Sequence, residues 1–106
     1  MPRYLLIASE SPLERRTRDF FALGTSLARA AEVTVFLVQN GVLGARAGGG
    51  ADWLGGLRDA GVALLADDFS LRERGIKPSG LAAGVRAASL DVVIDALLAG
   101  SKVLWS

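Results

Sequence analysis

The sequence contains no cysteine and no histidine. Without a thiol there is no disulfide, no thiolate nucleophile, no persulfide carrier and no cysteine-bound metal. Without an imidazole the commonest general base and the commonest transition-metal ligand are missing. Lysine occurs only at Lys77 and Lys102, so ten of the twelve basic side chains are arginines. They are spread along the chain and oppose eleven acids, for a net charge of +1. A phosphate-tracking surface clusters its cations and interleaves aromatics, so no nucleic-acid partner is expected. No apolar run approaches the roughly 18–20 residues of a membrane span, so no membrane partner is expected either. Met1 to Ser9 is charged and then apolar, but Glu10 cuts it too short for a signal peptide. It reads as a first core strand, and the expected location is cytoplasmic.

What is present is a globular composition. Of 106 residues, 51% are hydrophobic and 22% charged, which fits one small domain over 1–106 with a real core. Tyr4 to Ala8 is a short apolar run and predicts a buried strand. Ser11, Pro12 and Glu14 form a helix-start signal, with Ser11 as the cap. The helix is expected to run from Leu13 to Ala31, with Phe20, Phe21, Leu23, Leu27 and Ala28 on its apolar side. Glu32 to Val38 is β-branched and nearly uncharged, the strongest strand signal in the chain. Gln39-Asn40-Gly41 then opens a loop, with one weak helical turn between Val42 and Ala47.

Gly48-Gly49-Gly50 is a flexible break. Asp52 is expected to cap a short helix, Trp53 to Ala60, closed by Gly61. Val62 to Ala66 predicts a third strand, ended by Asp67-Asp68. Asp68 or Ser70 is the expected cap of a helical turn reaching Arg74 and closed by Gly75. Val85 to Ala88 predicts a fourth strand. Ser89 or Asp91 caps a helix through Leu98, and Lys102 to Trp105 predicts a fifth strand. This alternation points to an α/β fold: a mostly parallel five-stranded sheet with helices on both faces.

In such sheets ligands bind beyond the carboxyl ends of the strands. That rule selects Ser9, Glu10 and Ser11, then Gln39, Asn40 and Gly41, then Asp67, Asp68, Arg72 and Arg74 as neighbours of one cleft. Asp67 and Asp68 could bind Mg²⁺ or act as a base, but capping and pairing with an arginine is the stronger reading. Only Glu10 is available as a further acidic ligand, so no metal and no cofactor are expected. Ser11 lacks a base that would make it a nucleophile. Asn40-Gly41 is a turn signal first. The triple glycine lacks the spacing of a phosphate loop. Arg72 and Arg74 could hold a small anion or meet an acid of another subunit. Trp53, Leu54 and Leu57 are expected in the core or an interface, and Trp105 at the sheet edge or a subunit contact.

The element order and several strings resemble the DsrE/DsrF/DsrH-like superfamily, which includes sulfur-relay proteins. The strings are Leu5-Leu6-Ile7-Ala8-Ser9 before a long helix, and Val33-Thr34-Val35-Phe36-Leu37 followed by Asn40-Gly41-Val42. Gly61-Val62 enters the third strand, and Ser70 through Arg74-Gly75-Ile76 follows it. Asp91 to Leu98 leads into Lys102-Val103-Leu104-Trp105. The resemblance implies a three-layer α/β/α sandwich and membership of homo- or hetero-oligomers. In the catalytic branches a cysteine after the third strand carries a persulfide. The matching window here is Ala66-Asp67-Asp68, so Asp67 or Asp68 stands in its place. A carboxylate cannot hold a sulfane sulfur.

The resemblance and the missing thiol together imply a non-catalytic binding or assembly subunit linked to sulfur metabolism. It would pair with copies of itself or with a cysteine-bearing paralogue. The alternative is a small-molecule or anion-binding module built on Ser9, Glu10, Asn40, Gly41, Asp67, Asp68, Arg72 and Arg74. A carboxylate- or metal-dependent enzyme is the third and weakest reading.

Overall fold

The computed structural model describes residues 1–48 and 53–106. Asp52, Gly49 and Gly50, for which a cap and a flexible break are expected, lie outside the described residues.

Five strands form one sheet: β1 (Arg3–Ala8), β2 (Glu32–Leu37), β3 (Ala63–Asp67), β4 (Val85–Ala88) and β5 (Lys102–Trp105). The order is β4-β3-β2-β1-β5, and every pairing is parallel. The helices are α1 (Arg15–Leu27), α2 (Gly55–Asp59), α3 (Asp68–Glu73) and α4 (Asp91–Leu98), with 3-10 turns at Gln39–Ala45 and Pro78–Gly80. From β1 to β4 the chain steps always to the same side. It then crosses back past β1 to add β5. Because parallel crossovers are right-handed, that reversal sends α4 to the opposite face from the other helices. The result is the three-layer α/β/α arrangement.

The two faces are unequal. One buries Leu6, Val35, Leu37 and Leu64 from the strands against Phe21 of α1, Leu57 of α2 and Leu71 of α3. Among the described residues the other buries only Leu5, Ile7, Phe36 and Val38, against the half-buried Val92, Val93 and Ala96 of α4. Strand alternation explains the split, since neighbouring residues of β1 and β2 point to opposite faces.

Several local expectations shift. Helix α1 begins at Arg15, with Glu14 at its cap position making no side-chain cap bond. Ser11 instead accepts from the Leu13 N–H at 3.2 Å, so it serves the turn before the helix. The helix ends at Leu27 rather than Ala31, and residues 28–30 form a turn. Its buried line is Thr17, Phe21 and Gly24, while Leu23 is exposed. Gly24 allows the approach: a Cβ there would press on Leu57 and Leu6. The expected loop at Gln39-Asn40-Gly41 is wound into the 3-10 turn that continues to Ala45. Leu54 and Leu57 are buried and Trp53 packs partly on the core, under the Arg18 guanidinium at 5.2 Å.

Candidate functional site

Strand β3 ends on Asp67, and α3 starts at the next residue. The turn needs an acceptor for the free N–H groups of the first helical turn. Asp67 supplies it, one residue earlier than expected. Its Oδ2 accepts the Ser70 N–H at 3.0 Å and the Ser70 hydroxyl at 2.6 Å. Asp68 is therefore the first helical residue and not the cap, where its charge suits the positive end of the helix. The expectation that Asp67 pairs with an arginine is also corrected: both of its hydrogen bonds come from Ser70, and its Oδ1 has no partner among the described residues.

Ser70 carries the network further. Its oxygen accepts the Gln39 N–H at 2.9 Å. Gln39 reaches it from the end of β2 with φ +49°, the left-handed region that non-glycine residues rarely adopt. Next to it, the Asn40 side-chain Oδ1 accepts from Arg74 at 3.0 Å. Arg74 also donates to the Ser70 carbonyl at 3.2 Å and lies 3.7 Å from Glu73. Gly41 is buried against β1, and a Cβ at this position would overlap the Ala8 carbonyl oxygen. The ends of β1, β2 and β3 are thus tied together by Gly41, Ser70 and Arg74.

Asn40, Gly41, Asp67 and Arg74 share this cluster, and the other expected site residues do not join it. Ser9 donates its hydroxyl to the Ser106 carbonyl at 2.9 Å and so extends the contact between the paired strands β1 and β5. Glu10 contributes only its backbone carbonyl, to the Thr17 hydroxyl at 3.3 Å, and its carboxylate is exposed. Arg72 is exposed, with no ion pair among the described residues. Asp68 is half-buried and has no hydrogen bond to this cluster. Among the described residues no three carboxylates come together to hold a metal.

Sequence reasoning missed the role of Ser70 as the joint between the β2 and β3 ends. The signal was available: Asp67 and Ser70 are three apart, the spacing of a cap and its N3 partner. Ser70→Ala is expected to cost about 1–3 kcal/mol, because it leaves a buried carboxylate oxygen and the Gln39 N–H short of partners. Urea denaturation measures it, and a loss below about 0.5 kcal/mol would show that the joint is dispensable.

No protein-family model matches the chain, and no curated protein is significantly similar to it. Solved structures do match over the whole length. The ychN protein from E. coli superposes with a TM-score of 0.83 at 21% identity, covering 100% of both chains. A protein of unknown function from Methanobacterium thermoautotrophicum, MTH1491, superposes with a TM-score of 0.77 at 19% identity, again over 100% of both. The chain shares with both the three-layer arrangement of helices on the two faces of a five-stranded parallel sheet. At this identity the likeness concerns the backbone arrangement alone. No helix among the described residues is long and apolar enough to cross a membrane.

Proposed function

We propose that this chain is a non-catalytic DsrE-like protein of the cytoplasm, an oligomeric binding or assembly subunit linked to sulfur metabolism that transfers no persulfide itself. The observation that carries this reading is the state of Asp67. It occupies the window where the resembling family keeps its cysteine, it is 4% exposed, and its Oδ2 is spent on Ser70. A relay group must be reachable by donor and acceptor, and this carboxylate is a structural joint. The sulfur link rests on the resemblance of the strings quoted above.

Two measurements test it. Asp67→Cys is expected to be alkylated by iodoacetamide at least tenfold more slowly in the folded protein than in urea; equal rates would mean an open relay site and sink the structural reading. Size-exclusion with light scattering tests assembly. A chain that stays monomeric alone, and also after mixing with a cysteine-bearing protein of the same fold, would overturn the subunit role.

A second reading, an anion-binding module, draws on the exposed Asn40–Arg74 pair with Arg72 close by in sequence. Titration with sulfate, thiosulfate or phosphate would raise Tm if the folded state binds them. An unchanged Tm in Arg74→Gln and wild type alike removes this reading.

A further inference from the structure

We infer that the α4 face of the sheet is where two copies of this chain meet, about a two-fold axis. The inference deepens the proposed assembly role by naming its partner and surface.

The first ground is the unequal coverage of the sheet. None of the eight residues of α4 is buried. Its inner side, Val92, Val93 and Ala96, packs partly on the sheet. Its outer side is apolar as well: Leu90, Ile94 and Leu97 are between 56 and 60% exposed and Leu98 is 83% exposed. Trp105 of the edge strand β5 is 67% exposed. By alternation from Val103 it lies on this same side of the sheet. A surface helix normally shows water a polar face, and a monomer rarely exposes so continuous an apolar patch.

The second ground is shape. One helix of eight residues cannot roof five strands. Beside α4 lies a groove of about 390 Å³ that Val92, Ala96 and Leu65 line together with Arg3, Glu32 and Ser101, so its wall is part apolar and part charged. The same face therefore carries an apolar ridge beside a trough of mixed polarity. A two-fold contact needs that combination, since each copy must offer what the other receives.

The third ground is charge. Arg86 on β4 is in register with Leu65 and exposed on this face. The exposed Asp91 and Asp95 lie one turn apart along α4. None of the three has an ion pair among the described residues. Laying the ridge of one copy into the trough of the other carries its acids toward the β3–β4 side, where Arg86 stands. Opposite charges then meet twice across the axis.

Light scattering on the purified chain at micromolar concentration tests this. The wild type is expected at twice the chain mass of 11.1 kDa. Ile94→Asp and Leu98→Asp are expected to yield folded monomers, weakening association at least tenfold with an unchanged circular-dichroism spectrum. Arg86→Asp is expected to weaken association, as is the pair Asp91→Arg with Asp95→Arg, and combining all three to restore it. These three sites are exposed, so the charge swap reports on assembly even if an α4 variant misfolds. A monomeric wild type overturns the inference; if that monomer still joins a cysteine-bearing protein of the same fold, the assembly reading survives without it. A wild-type oligomer indifferent to all these changes overturns the α4 face and leaves the oligomer standing.

Discussion

Phe36→Ala is expected to lower the unfolding free energy by about 3–5 kcal/mol, the usual cost of truncating a fully enclosed phenylalanine. Phe36 is entirely buried and is the largest side chain of the thin core under α4. Among the described residues only Leu5, Ile7 and Val38 share that core as buried partners. The face cannot collapse around the lost ring, because α4 is held at its ends by short connections and rests on half-buried side chains. Domains of this kind are stable by only about 5–15 kcal/mol, so the variant should unfold at far lower urea. The midpoint of a urea transition reads the change directly. A loss below about 1.5 kcal/mol would show that α4 settles into the space, and that the second layer is loosely packed.

Gly41→Ala is the other large change expected, at about 3 kcal/mol, the upper part of the range for overpacking. The added methyl meets the Ala8 carbonyl, which is backbone and has no rotamer to yield. That carbonyl is also engaged, since it accepts the Val38 N–H at 3.0 Å. Relief therefore means moving the 3-10 turn away from β1. Asn40 would move with it and lose Arg74, and Gln39 would draw back from Ser70. The predicted signature is double: a lower Tm, and faster amide exchange at Gln39 than in the parent protein. Full retention of both would mean that the turn has slack that its contacts with Ala8 do not suggest.

Much of the architecture was legible along the chain. The strands at Val85–Ala88 and Lys102–Trp105 fall where composition placed them, and the helix Asp91–Leu98 ends where expected, although Leu90 holds its cap position without a side-chain cap bond, in place of Ser89 or Asp91. Gly75 and Gly100 close their helices with φ near +67° and +77°, the conformation glycine tolerates best. The helix starts were less legible. Ser11, Asp68 and Ser70 are all good cap residues, and propensity cannot choose among neighbours of the same kind. The choice falls to Asp67 because the last residue of β3 is the one whose carboxylate points back over the new turn. The end of α1 at Leu27 likewise follows from where the chain must turn to enter β2, and not from any breaker in residues 28–31.

The candidate site divides in the same way. Asn40, Gly41, Asp67 and Arg74 could be proposed from the rule about strand ends. That they form one network, while Ser9, Glu10, Asp68 and Arg72 do not, depends on distances between segments about thirty or more residues apart.

The sequence by itself determined the absence of thiol and imidazole, and with it the exclusion of persulfide chemistry on this chain. It also determined the apolar runs and turn residues that give a parallel sheet with alternating helices. These are local properties, set by side-chain chemistry and by spacing. Only the tertiary structure decided that the carboxylate at Asp67 is buried and bound to Ser70, and that α4 stands alone on its face with Leu90, Ile94 and Leu98 turned outward. Both follow from the order in which the strands pair. The reversal between β4 and β5 leaves one short helix to cover a sheet that three helices cover on the other side. No local pattern in α4 records that its second apolar side is left exposed among the described residues.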